Sequence, residues 1–320
     1  MKILMTGATG FIGSHLVKCL SAHEVTCIVS SASIGWKDMP RNVAVEFADI
    51  TDFTKMNNIV ANTRPDTIIH LAAATPVRLS FEMPNIYQDV NYLATVALVH
   101  AALKSGVNKF LFASTMETYG WQPQKKPFTE NLALNPASPY AVSKVAAENY
   151  IKMAGQAYGL CYYIAKPCNT FGRKNDKGFL VEYAVTEMLS NRQPFIGTPN
   201  AVRDLMYVDD HVNAYLKLIE FEETSQERTE NLERDPTYYV FNFGNGSERK
   251  VGDIVDTIAR IIGFTGGFAS SFPTGYPARP VVEDYLSVNS DKAWTVLEWK
   301  PTVTIDDGLK KAIEYWRTRS

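Results

Sequence analysis

"MKILMTGATGFIGSHL", residues 1–16, decides the fold. A short apolar run at 2–5 leads into three glycines, Gly7, Gly10 and Gly13, and then into apolar residues at helical spacing. Glycine permits a tight turn, lets the backbone approach a pyrophosphate, and lets strand and helix pack closely. The helix start that follows offers free N–H groups and a partial positive charge to phosphate oxygens. The stretch is therefore expected to bind a dinucleotide through Gly7, Thr9, Gly10, Phe11, Ile12 and Gly13.

Outward from that turn, short apolar runs alternate with longer helix-like segments. Residues 2–5, 25–29, 43–47, 67–71 and 109–113 read as strands, rich in Val, Ile, Leu and Phe. Between them, 14–22, 54–62 and 92–106 carry apolar residues at helical spacing. Strands alternating with helices imply right-handed crossovers and a parallel sheet covered on both faces. The runs lack two-residue alternation, as expected for strands buried on both sides. The fold class is α/β, a Rossmann-type doubly wound parallel sheet with a smaller C-terminal substrate-binding domain. The expected division is 1–170 for the dinucleotide domain, with later segments crossing back, and 171–320 mainly for substrate. Within the second part, 172–178 reads as a polar turn, 220–236 as a solvated loop or helix edge, and 263–280 as a loop folding over something. Residues 251–263 and 306–319 read as amphipathic helices.

Lys+Arg is 32 and Asp+Glu is 34 in 320 residues, a balance that gives no attraction to nucleic acid or to a membrane surface. The four cysteines have no CxxC spacing, and they read as reduced packing residues with no metal site. The N-terminus has too few apolar residues for a signal peptide, and no run approaches the ~20 needed for a membrane span. A cytoplasmic enzyme is expected.

An NAD site usually places an acid at the end of the second strand to bind the ribose 2′-OH. Here "CIVSSASIGWK", residues 27–37, offers Ser30 and Ser31 and no acid. Nothing there repels a 2′-phosphate, and Lys37 or Arg41 lies in reach of one. Either serine also suits a plain ribose hydroxyl, so the cofactor is NADP or NAD. Asp49, after the third strand, is placed to accept from the adenine amino group.

"NPASPYAVSKVAAENY", residues 135–150, puts Tyr140 and Lys144 on one helix face. A phenol is a poor base near neutral pH, and an ammonium one turn away favours its phenolate. The remaining catalytic member is expected to be a hydroxyl at a strand's carboxyl end, where ligands bind in parallel α/β sheets. "FASTMETYG", residues 112–120, supplies Ser114 and Thr115 there.

At this point the residues resemble a family: the extended short-chain dehydrogenases/reductases that modify nucleotide sugars, the NAD-dependent epimerases and dehydratases. The resemblance runs through TGATGFIG (6–13), ADI (48–50), HLAA (70–73), Asn91 with Thr95, the threonine motif, PYAVSK, KPCNTFG (166–172), RDLMYVDD (203–210) and WKPTVTIDDGL (299–309). It implies cofactor contacts from Ile50, Leu71, Ala72, Ala73, Asn91 and Pro167, besides Tyr140 and Lys144. It makes Thr115 the catalytic hydroxyl, Asn169 a nucleotide-sugar contact, Arg203 a diphosphate ligand, Arg279 a second phosphate clamp and Ser80 a sugar-pocket contact. Lys166 stands where an arginine is more common, and Arg173 where a proline is usual.

The resemblance further implies oxidation of a sugar hydroxyl, usually at C4. Tyr140 takes the proton and Thr115 holds the oxygen. Re-reduction of the 4-keto sugar from its other face gives a 4-epimer, and an epimerase keeps its cofactor tightly bound. Met116 replaces the Asp of the 4,6-dehydratases, which argues against ordinary dehydration. Glu117 either bonds backbone or acts at C5, as in decarboxylases of nucleotide-linked glucuronic acid. A 4-ketosugar reductase consuming NADPH is a further alternative, and a redox-sensing binding protein is the non-enzymatic one. By resemblance, helices over 92–105 and 140–154 pair two copies into a homodimer.

Overall fold

The computed structural model describes residues 1–33, 35–174, 176–235, 237–270 and 283–319. Strand β1 (Lys2–Thr6) runs through the glycine turn into helix α1 (Phe11–Cys19). Gly7 has φ 74°, and a Cβ there would lie 2.6 Å from the Ala72 nitrogen. A Cβ on Gly13 would lie 2.1 Å from the Gly7 carbonyl oxygen, so a side chain at either position forces the turn apart.

The strands β2 (Glu24–Val29), β3 (Ala44–Phe47), β4 (Thr67–His70), β5 (Lys109–Ala113) and β6 (Tyr162–Pro167) alternate with helices α2 (Phe53–Thr63), α3 (Val77–Glu82), α4 (Pro84–Gln88), α5 (Ala94–Lys104) and α6 (Pro139–Tyr158). With β1 and β9 (Val240–Phe243) they form a seven-stranded sheet of order β3-β2-β1-β4-β5-β6-β9. Every neighbouring pair from β3 to β6 is parallel. The order reverses between β1 and β4, the switch point at which a doubly wound sheet opens a crevice for a ligand. β4 and β6 are buried at every residue, which explains why neither shows two-residue alternation.

The run expected over 92–106 is helical through Lys104, and it begins inside a π-turn. Residues Asp89–Leu93 form one π-turn before α5 begins. α6 is bounded as its sequence prescribes: Ser138 Oγ accepts from Ala141 N–H at 3.1 Å, Pro139 opens the first turn, and Gly159 closes the helix at φ 72°.

The chain divides into two compact units. The first comprises Met1–Gly120, Glu130–Lys166 and Tyr215–Phe241 and holds the large sheet. The second comprises Trp121–Thr129, Pro167–Ala214 and Asn242–Ser320. Its strands are β7 (Asn169–Phe171), β8 (Val202–Tyr207), β10 (Glu248–Lys250) and β11 (Tyr285–Leu286), with β8 central. Its helices α7 (Leu180–Leu189), α10 (Val251–Ile262) and α12 (Ile305–Arg317) enclose a core of Phe171, Val185, Ile254, Ile258, Leu309 and Trp316. The remaining helices are α8 (Val208–Glu220), α9 (Ser225–Arg234) and α11 (Asp291–Leu297). The charged stretch after residue 220 is thus largely helix. Thr224 and Glu227 form a reciprocal capping box, the Thr224 Oγ1 accepting from Glu227 N–H at 3.2 Å and Glu227 accepting from Thr224 N–H at 2.8 Å. Among the described residues, no helix is long and apolar enough to cross a membrane.

Candidate active site

In the first unit the sequence-predicted residues gather at the carboxyl ends of β1, β4 and β5. The glycine turn is held by Gly10 N–H donating to the Gly7 carbonyl at 3.0 Å. Gly10 is the N-cap of α1 and supplies no side-chain cap, so no capping side chain occupies the N–H groups of the first turn. A helix start with a glycine floor and no capping side chain fits a dinucleotide pyrophosphate. Ser30, Ser31 and Asp49 are exposed at the ends of β2 and β3. Asp49 Oδ1 accepts from Thr51 N–H at 2.9 Å and Thr51 Oγ1 at 2.7 Å, and these bonds hold its carboxyl below the usual range.

Two buried networks brace this end of the sheet. His70, fully buried, bridges Thr6 Oγ1 at 2.7 Å and Thr95 Oγ1 at 2.9 Å, tying β1 to β4 and α5. Burial, with Lys144 adding to it, lowers the His70 pKa to about 3, so the ring is neutral. Thr6 Oγ1 also accepts from Ala72 N–H at 3.2 Å, in the loop expected to touch the cofactor. Asn91, carried by the π-turn, accepts from Ala74 N–H at 2.8 Å and donates to Ala74 O at 3.1 Å and to Ser143 Oγ at 3.0 Å. Its amide is thus spent on bracing the 71–74 loop against α6.

Thr115, half-buried with extended backbone, caps the short turn that follows β5, its Oγ1 accepting from Glu117 N–H at 3.3 Å. Met116 is fully buried, and Glu117 is 8% exposed within that turn. On α6, Tyr140 is buried with its ring edge-on to Tyr87 at 6.2 Å. Lys144 Nζ donates to the Ala113 carbonyl at 2.8 Å and lies 4.7 Å over the Phe112 ring. That bond fixes the Tyr140–Lys144 face of α6 against the strand end that carries Thr115. Burial lowers the Lys144 pKa to about 7, against Glu148, which raises it.

Ser80 is fully buried, and its hydroxyl donates to the Val77 carbonyl at 2.7 Å within its own helix. In the second unit, Asn169 opens β7, and its Oδ1 is buried with no hydrogen-bond partner among the described residues. Arg203, on β8, donates to Val202 O and Glu283 O, both at 2.8 Å. Arg279 lies outside the described residues, and Pro167 ends β6.

Sequence reading missed one charged cluster, the buried Glu148–Lys166 ion pair beneath Ser114. The signal was a lysine inside the otherwise apolar run YYIAKP, since a lysine is almost never fully buried without a partner.

A doubly wound sheet with a glycine turn at its switch point defines a dinucleotide-binding protein. Residues 3–232 match the NAD dependent epimerase/dehydratase family. The UDP-glucose 4-epimerase of Mycolicibacterium smegmatis is 31% identical over 332 residues, covering 100% of both chains. The crystal structure of UDP-glucose 4-epimerase from Thermotoga maritima, determined with UDP-glucose, matches with a TM-score of 0.87 at 29% identity over 100% of this chain and 99% of that one. The UDP-glucose 4-epimerase of Thermus thermophilus, determined with NAD, matches with a TM-score of 0.86 at 27% identity over 100% of each chain. The chain belongs to the NAD dependent epimerase/dehydratase family, the extended short-chain dehydrogenase/reductase enzymes that use NAD(P).

Proposed function

We propose that this chain is a nucleotide-sugar 4-epimerase that works through a 4-keto intermediate with a tightly held NAD. The observation that carries the reading is the Lys144–Ala113 bond, which seats Tyr140 and Lys144 against the strand end bearing Thr115. Bound nicotinamide supplies a hydride acceptor that can return what it takes. Tyr140 removes the proton of the sugar's C4 hydroxyl, and the Lys144 ammonium favours the phenolate that does so. Thr115 Oγ1 holds the same oxygen as its charge develops. Gly7, Gly10 and Gly13 would hold the pyrophosphate, and Asn91 braces the 71–74 loop expected to touch the cofactor. Asn169 and Arg203 are the substrate contacts of the second unit. The similarity to three UDP-glucose 4-epimerases supports a UDP-hexose substrate.

A second reading rests on Glu117. A nearly buried carboxylate two residues after Thr115 would suit proton transfer at C5, the step needed for decarboxylation of a nucleotide-linked glucuronic acid, and its burial supports that reading. One experiment separates the two: incubate the protein, with whatever cofactor co-purifies, with a panel of nucleotide sugars in deuterated water. Inversion at C4 with no deuterium at C5 supports the epimerase. Deuterium at C5 or release of carbon dioxide moves the assignment to Glu117, and net consumption of NADPH would make the protein a reductase.

Two copies of the chain are proposed to pair through α5 and α6. These helices pack side by side; α6 exposes the apolar side chains Val142 and Met153, and Leu93 is exposed just before α5. Light scattering of Leu93→Arg against the parent protein tests this, with a fall from dimer to monomer mass expected.

A further inference from the structure

The buried pair behind the catalytic face is expensive unless it has work to perform. Glu148 and Lys166 have side chains 0% and 1% exposed, with Glu148 Oε2 at 2.9 Å from Lys166 Nζ. The other carboxylate oxygen accepts a hydrogen bond from Ser114 Oγ. Lys166 Nζ also lies 4.3 Å over the Tyr119 ring. Ser114 is locked to the neighbouring strand through its N–H to Ala165 O at 2.8 Å. Replacing a buried ion pair by apolar residues of similar volume is often neutral or stabilising, so the pair is poorly explained by stability alone.

Its position offers a better account. Glu148 lies one turn after Lys144 on α6, so it faces two buried lysines, Lys144 on its own helix and Lys166 on β6. Ser114, which it holds, immediately precedes Thr115. We infer that Glu148 and Lys166 are positioning residues: the carboxylate, shared between two lysines, sets the charge of Lys144 and pins the strand end that presents Thr115. This inference rests on the Thr115–Tyr140–Lys144 assignment proposed above.

The groups facing Lys144 are few. Glu148 and Tyr140 lie one turn away on α6, the Ala113 carbonyl and Phe112 ring belong to β5, and neutral His70 stands on β4. Lys166 is reached through Glu148, with Lys152 and Glu130 as its further charged neighbours. Within that set, Glu148 is the carboxylate that acts on Lys144, and burial opposes the ammonium form that Tyr140 needs. Lys166 takes up part of the Glu148 charge, so it tunes how strongly Lys144 is held protonated.

The pair therefore makes opposite predictions for its two ends. Glu148→Gln removes the anion and leaves a second buried cation, so the Lys144 ammonium loses its proton at lower pH. Lys166→Met removes the competing cation and leaves the whole carboxylate to Lys144, which then keeps its proton to higher pH. Each shift is expected to be about one pH unit, and Lys166→Arg, which keeps the charge, is expected to leave the titration in place.

The test is isotope-labelled lysine side-chain NMR across pH, with the Lys144 signal assigned by its loss in Lys144→Met. The alkaline limb of the C4-inversion rate is measured beside it, a limb that belongs to the Tyr140–Lys144 pair as a unit. A merely structural pair would lower activity in both variants without moving either titration. Opposite shifts in Glu148→Gln and Lys166→Met support the proposal, while shifts of the same sign or unmoved titrations overturn it. Should a charge variant not fold, Ser114→Ala removes only the hydroxyl that shares the carboxylate; an upward shift supports the proposal and an unmoved titration overturns it. Tyr140→Phe separates the two levels: full activity in that variant overturns the catalytic assignment itself, whatever the lysine titrations show.

Discussion

His70 gives a prediction whose size follows from the structure. The ring is sealed between Thr6, Thr95 and the aromatic side chains Phe110 and Phe112, and its pKa falls from 6.5 to about 3. The unfolded chain takes up a proton as the pH drops through 6.5, whereas the folded protein refuses it until about pH 3. More protons are bound by the unfolded state throughout that window, so stability falls as the pH is lowered. At pH 5 the gap below the unfolded value corresponds to about 2 kcal/mol. Other groups titrate in the same range. Burial lowers His211 in the same sense, while Asp204, raised by burial to about 6, works in the opposite one. The contribution of His70 is therefore read as a difference between proteins. His70→Gln retains a donor and an acceptor for the two threonines and removes the titration. In urea unfolding at pH 7 and pH 5, the parent protein is expected to lose about 2 kcal/mol more than His70→Gln. Equal losses in the two proteins would refute a neutral, sealed imidazole at this position.

Other consequences are equally direct. Gly13→Ala places a methyl group 2.1 Å from the Gly7 carbonyl oxygen, so the protein is expected to purify without nucleotide while keeping its circular dichroism spectrum. Retention of a full complement of cofactor would contradict the glycine-turn assignment. Lys109 Nζ donates to the carbonyls of Leu218, Ile219 and Phe221 at 3.4, 2.8 and 2.6 Å and so terminates α8. Lys109→Met is expected to cost about 2 kcal/mol, the scale of hydrogen bonds to a charged group, seen as a lower melting temperature with cofactor affinity unchanged.

The dinucleotide half of this protein is legible in its sequence because its physics is local. A glycine turn between a strand and a helix, and apolar runs free of alternation, follow from near neighbours alone. Tyr140 and Lys144 are likewise one turn apart on one helix. What stays hidden depends on partners far along the chain. Ser80 reads as a pocket residue, yet the fold turns its hydroxyl onto Val77 and buries it. Asn91 reads as a cofactor contact, and the structure shows it bracing the 71–74 loop against α6 from a π-turn that helical spacing gives no reason to expect. Glu148 reads as a packing residue at the end of Ala-Ala-Glu, and Lys166 as an unusual substitution. Each makes sense only once β6 lies beside α6 and the two charges meet. The second unit is less legible still. Its strands are short, of two to six residues, and β8 draws partners from both earlier and later in the chain, so no local period announces them.

Tyr140 and Thr115 are proposed to serve a nicotinamide-dependent oxidation of the sugar at C4, with the same hydride returned to the opposite face. The measurement that addresses it most directly uses a nucleotide hexose carrying deuterium at C4, incubated with the purified protein and no added cofactor. A C4-inverted product that keeps its deuterium at C4 is expected, with Tyr140→Phe slowed about a thousandfold, within the range for loss of a general base. Deuterium washed out into solvent, inversion absent for every hexose offered, or a Tyr140→Phe variant as fast as the parent would contradict it.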